Sequence, residues 1–127
     1  MSKYKNTSGL YPWFIEDGEH LIFPGDLKNF RKLLPYGKVF NCIDDVNGFL
    51  TLQYGKNTFR VKHDLYKVVN KPRFGIGCKV MLAKDNTQEG TVEEINWHQK
   101  NGIPIYYISI NGKRKSTRYF DEDLIAI

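Results

Sequence analysis

The chain has 127 residues, of which 41% are hydrophobic, 14% aromatic and 26% charged. That much apolar surface can offset the ordering entropy of one compact domain or of two very small ones, which excludes general disorder. The net charge of +5 favours acidic partners, and no apolar run reaches the ~20 residues of a membrane-spanning helix.

Residues 1–9 are polar and read as a frayed end, and they lack the apolar stretch of a secretory signal. The expectation is therefore a cytoplasmic protein, with Cys42 and Cys78 as reduced thiols filling strand positions. Lysine outnumbers arginine 14 to 5, a usage that fits a bacterial or phage chain. Trp13–Glu16, the pair Asp17-Gly18 and Glu19–Phe23 predict a hairpin, because Asp-Gly suits a turn whose central residues have positive φ. Pro24-Gly25-Asp26 breaks it and offers Asp26 as an N-cap. Leu27, Phe30 and Leu34 then form the apolar stripe of one short helix closed by Pro35-Tyr36-Gly37.

Strands follow over 38–43, 49–54, 58–61 and 66–69, and, after a connector at 70–75, over 79–84, 91–98, 105–110, 115–120 and 125–127. Turns at Asp85-Asn86, Lys100–Gly102 and Asn111-Gly112 punctuate the second set. Short strands at this spacing predict a small barrel or sandwich.

The middle and the end of the chain repeat each other. Leu50-Thr51-Leu52 aligns with Ile108-Ser109-Ile110 at a spacing of 58, as do Arg60 with Arg118 and Val61 with Tyr119, and Asp64-Leu65 matches Asp123-Leu124. Upstream, Lys38-Val39 aligns with Lys79-Val80 at a spacing of 41, which makes the first copy the shorter one and gives the second a longer central arm at Gly90–Pro104. The second copy has an entering strand, a returning strand from Gly90, two further strands and the helical turn Asp121–Leu124 before a last short strand. It resembles an SH3-like barrel, and Gly90-x-Val92-x-x-Ile95 resembles the end of the KOW motif, although Lys84–Gln88 replaces the glycine-rich stretch that precedes it there. The resemblance implies a mainly β fold of two SH3-like small barrels in tandem, the first shortened. The expected organisation is a hairpin and helix over 1–35 packed on the first barrel, a first repeat over 36–70 and a second over 76–127. A Tudor-type methyl-lysine cage is not expected, because the loops taken as the first of each barrel, Asp44–Gly48 and Asp85–Glu89, lack aromatics.

No histidine is spaced with cysteines or carboxylates as metal ligands are, and no nucleophile motif or phosphate-cradling glycine loop is present. The reading is a noncatalytic binding protein without cofactor or metal. For a protein partner, the exposed candidates are Trp97 and His98 near the arm tip, with Tyr107 and Tyr119. The alternative is nucleic acid, held by Lys56, Arg60, Lys62, Arg114 and Arg118 on matching hairpins of the two copies. A small anionic ligand such as a nucleotide is a third reading, and the oligomeric state stays open.

Overall fold

A computed structural model describes residues 3–85 and 87–127. The chain divides into two compact units, Met1–Lys71 and Pro72–Ile127. Asn86, half of one expected turn, lies outside the described residues.

The first unit is a five-stranded antiparallel sheet. Its elements are β1 (Thr7–Leu10), α1 (Leu27–Leu33), β2 (Val39–Val46), β3 (Phe49–Tyr54), β4 (Asn57–Val61) and β5 (Lys67–Val69), in the spatial order β4-β3-β2-β1-β5. The second unit contains β6 (Lys79–Leu82), β7 (Glu89–His98), β8 (Ile103–Ile110), β9 (Lys113–Arg114) and β10 (Leu124–Ala126), in the order β10-β6-β7-β8-β9. In chain order, the two arrangements are the same. Each has a 3₁₀ turn before its last strand, His63–Leu65 in the first and Asp121–Asp123 in the second. The fold is mainly β, a tandem of small barrel-like sheets, although among the described residues no pairing closes either sheet.

The duplication extends to irregular details. Ile43 is the extra residue of a bulge opposite β3, and Glu93 is its counterpart opposite β8. Asn6 donates its backbone N–H to the carbonyl of Cys42, as Gly77 does to Val92, and both donors have positive φ. This register corrects the sequence alignment. β2 matches β7 and not β6, so Lys38-Val39 and Lys79-Val80 are not equivalent; the bulges likewise set Leu52, not Leu50, against Ile108, and Tyr66, not Leu65, takes the place of Leu124. The first copy is not shortened either: its opening strand is β1, inside the segment read as frayed. Thr-Ser-Gly-Leu has little strand character, but β1 lies between β2 and β5 and its backbone is paired on both sides.

The long segment of the first unit is the β1–β2 connection, residues 11–38, against residues 83–88 in the second. The expected hairpin at Trp13–Phe23 is absent. Two 3₁₀ turns, Ile15–Asp17 and Glu19–Leu21, take its place around Gly18, whose φ is 113°. Trp13 explains why. Its indole is buried and needs an acceptor for its N–H, which the Gly18 carbonyl supplies at 3.0 Å, pulling residues 13–18 into a loop. The other half, Leu21–Phe23, runs along the free edge of β4 instead, with Phe23 N–H donating to the Arg60 carbonyl and Lys62 N–H to the Leu21 carbonyl. Phe30 of α1 fills the core beside Tyr11, Trp13, Phe40 and Phe59, at ring separations of 5.1–5.8 Å. Asp26 occupies the N-cap of α1, as expected, but its side chain makes no cap bond. Its carboxylate accepts from the Arg60 backbone N–H (2.9 Å) and Nε (3.0 Å).

The core of the second unit contains Val80, Val92, Ile95, Tyr106, Ile108 and Leu124. Its central hairpin is longer, with strands of 10 and 8 residues against 8 and 6 in the first. The strand expected at 115–120 reduces to one bridge, Tyr106 to Tyr119, and the regular pairing lies earlier, at β9.

A candidate docking cleft on the first unit

The sequence places Leu34 on the apolar face of the helix. The structure does not. α1 ends at Leu33, and Leu34 takes the left-handed conformation (φ 57°, ψ 70°) at the C-cap, the neighbourhood where glycine is commonest, with 73% of its surface exposed. A left-handed leucine costs about 1–2 kcal/mol, and the exposed side chain recovers little of it by burial. Pro35 follows at once, and its buried ring turns the chain so that Tyr36 stacks on Phe14 (5.0 Å, 26° between planes). Both rings are 53% exposed. With Trp13, Ile15, Leu34 and Pro35 they line a mainly apolar cleft of about 260 Å³. Arg31 and Glu16 bring one charge of each sign to it.

Residues 13–16 and 31–36 meet only through the fold, so sequence proximity gave no pointer to the cleft. One signal was present. Pro35 follows Leu34 directly, and the residue before a proline is disfavoured in the right-handed helical region.

The arm residues singled out from sequence do not form one surface. Trp97 pairs with Pro104 across the β7–β8 ladder, and Tyr107 lies three positions after Pro104, so alternation sends Trp97 and Tyr107 to opposite faces. His98 packs edge-on to Phe120, and its Nδ1 accepts from the Asn101 N–H at 3.2 Å. Tyr119 bridges the buried Tyr106. All four side chains are half-buried.

Of the cation candidates, Arg60 and Arg118 each precede a residue, Val61 or Tyr119, that pairs with the equivalent core position Leu50 or Tyr106. Three of the five are already engaged. Arg60 lies 3.6 Å from the Phe23 ring centre and pairs with Asp26. Lys62 lies over Phe49 at 4.3 Å. Arg114 pairs with Glu94 and covers Tyr107. Lys56 and Arg118 are exposed.

Burial pushes the Cys42 thiol up, away from the thiolate that a nucleophile needs, and its S–H donates to the Asp44 carbonyl. The Tyr106 hydroxyl is raised by burial and by the Asp121 carboxylate, to which it donates at 2.7 Å. Among the described residues, no group of three or more His, Cys, Asp or Glu is placed to hold a metal ion, and no helix is long and apolar enough to cross a membrane.

The first barrel loop is residues 11–38 and not Asp44–Gly48, so it is rich in aromatics after all. They still make no cage: Tyr11, Trp13 and Phe30 are buried, and Phe14 and Tyr36 cover each other's faces. No curated protein and no solved structure matches the chain. Its sequence, however, fits one family model over residues 1–125, and the chain belongs to that family, DUF6960, a family of unknown function.

Proposed function

We propose that this chain is a noncatalytic protein-interaction module, of an inhibitor or adaptor kind, that engages its partner through the Trp13–Tyr36 cleft. The observation that carries the reading is Leu34, a large apolar side chain held in solvent in a conformation that costs the fold stability. Glycine at this position would remove both the strain and the apolar contact. Folding and binding therefore pull in opposite directions at one residue.

Leu34→Gly tests the proposal. The expected result is a melting temperature equal to or above that of the wild type, together with loss of a protein that co-purifies stoichiometrically with the wild-type chain from a bacterial lysate. No stoichiometric protein on the wild type, or one retained by Leu34→Gly and lost by Trp97→Ala, would sink it.

Nucleic-acid binding through the paired hairpins is the second reading, supported by the equivalence of Arg60 and Arg118 and weakened by the neighbours that already occupy Arg60, Lys62 and Arg114. It requires retardation of DNA or RNA at low salt that falls steeply as salt rises.

A further inference from the structure

The cleft does not stand alone. Arg31 lines both it and an adjoining groove beside Leu27 and Lys28, and Lys32 lines that groove and a third depression that reaches Asn57 and Thr58 on β4. Lys28, Arg31 and Lys32 are spaced i, i+3 and i+4, so they share one exposed face of α1. Among the described residues none of the three is in an ion pair. Helix stability explains only part of this face. Arg31 and Lys32 sit in the last turn, where a cation suits the negative helix end, but Lys28 is the second residue, where a cation opposes the dipole. An apolar cleft thus continues directly into a cationic strip; Glu16 lines the cleft, and Asp26, already paired with Arg60, lines the third depression beside Lys32.

We infer that this composite surface takes an acidic amphipathic segment of a partner protein, with an apolar residue seated against Leu34 and Tyr36 and carboxylates over Lys28, Arg31 and Lys32. The inference rests on the protein-binding reading above and adds the chemistry of the partner. Charge complementarity sets the polarity of the bound segment: its acidic side lies along α1, and any basic residue in it lies toward Glu16. A nucleic acid fits the same surface less well. The two exposed rings stack on each other, which leaves each at most one face for a base, and three cations within two turns of helix span few phosphates. The aliphatic Leu34 offers packing and no hydrogen bond, which suits an inserted side chain.

The test is selection of a fully random 12-residue display library on the whole chain, followed by titration of the enriched peptides against wild type, Leu34→Gly and the double variant Arg31→Glu/Lys32→Glu. The expected peptides combine net negative charge with two or more large apolar residues. They bind Leu34→Gly at least tenfold more weakly, bind the charge-reversed variant at least tenfold more weakly, and lose at least threefold in affinity between 50 and 500 mM NaCl. Both variants are checked for the wild-type far-UV spectrum and melting temperature. Where charge reversal alone disturbs the fold, Arg31→Gln/Lys32→Gln replaces it, with a threefold loss as the criterion. Neutral or basic peptides that still need Leu34 would overturn the acidic chemistry and leave the protein-binding reading standing. An enriched set indifferent to Leu34, or none at all, would overturn both. So would binding of phosphatidylglycerol vesicles or of a 20-nucleotide strand through Arg31 and Lys32 with no peptide selected.

Discussion

Gly9 lies opposite Phe40 in the first unit, and Val80 lies opposite Gly90 at the equivalent rungs of the second. The small and large residues have changed sides of the ladder. A second exchange accompanies the first: the residue after the 3₁₀ turn is Tyr66 in one unit and Leu124 in the other. The Tyr66 ring lies over Gly9, where an added Cβ would come within 2.5 Å of two ring carbons, whereas Val80 fills that space itself and the smaller Leu124 suffices. The two copies keep their topology, bulge position and turn while conserving packed volume in different ways. They diverge most where volume is unconstrained, in the connection between the first two strands. The first unit made that connection long and built Phe30 into its core with it, leaving Phe14, Leu34 and Tyr36 on the outside. The second kept it short and lengthened its central hairpin.

Four measurements would break or sharpen this comparison. The largest effect is expected from Phe30→Ala, which empties the centre of the aromatic cluster and should cost the first unit about 3–5 kcal/mol in chemical denaturation. If the long connection were an appendage, the loss would be small. Next comes Gly9→Ala, which forces the Tyr66 ring aside and should cost about 1–3 kcal/mol, read as lost amide-exchange protection in β1, β2 and β5. Tyr66→Leu combined with Gly9→Ala should restore most of that loss, since it reproduces the solution of the second unit.

In the second unit, Tyr106→Phe deletes a buried hydroxyl that donates to Asp121 and accepts from the backbone N–H groups of Arg73 (3.0 Å) and Phe74 (3.4 Å). A cost of about 1–2 kcal/mol is expected, because the partners lose their bonds in a largely dry site. The smallest effect is the alkaline one. Burial, opposed by the hydrogen bond with Thr7, pushes the Tyr66 hydroxyl from its ordinary 10.0 up to about 12. The folded state therefore holds a proton that the unfolded chain releases, so this contribution is complete below pH 10 and is lost as pH rises towards 12. Tyr11 and Tyr106 are raised by burial too, so Tyr66→Phe should flatten only part of the alkaline fall in stability measured by denaturant titration at fixed pH.

The local order of the fold was legible in the chain. Alternation marked the strands of the β2–β4 and β7–β8 hairpins, Asn-Gly pairs with positive φ closed the β2–β3 and β8–β9 turns, and Asp121–Leu124 marked the second 3₁₀ turn. These features rest on neighbours in sequence, where period and turn chemistry act directly. β1 was not legible, because Thr7–Leu10 becomes a strand by being paired on both sides and not by its own propensity. Nor was the fate of Asp17-Gly18, where a buried indole seeking an acceptor outweighed a strong hairpin signal.

The candidate site divides along the same line. The sequence by itself determined that the chain would carry net positive charge and that Lys28, Arg31 and Lys32 would share a helix face. Only the tertiary structure decided that Arg60, Lys62 and Arg114 are matched by their own neighbours, that Trp97 and Tyr107 point apart, and that Leu34 leaves the helix stripe for solvent. The reason is physical: a side chain's partners across a sheet or a loop are set by closure of the whole chain, and local pattern carries no record of them.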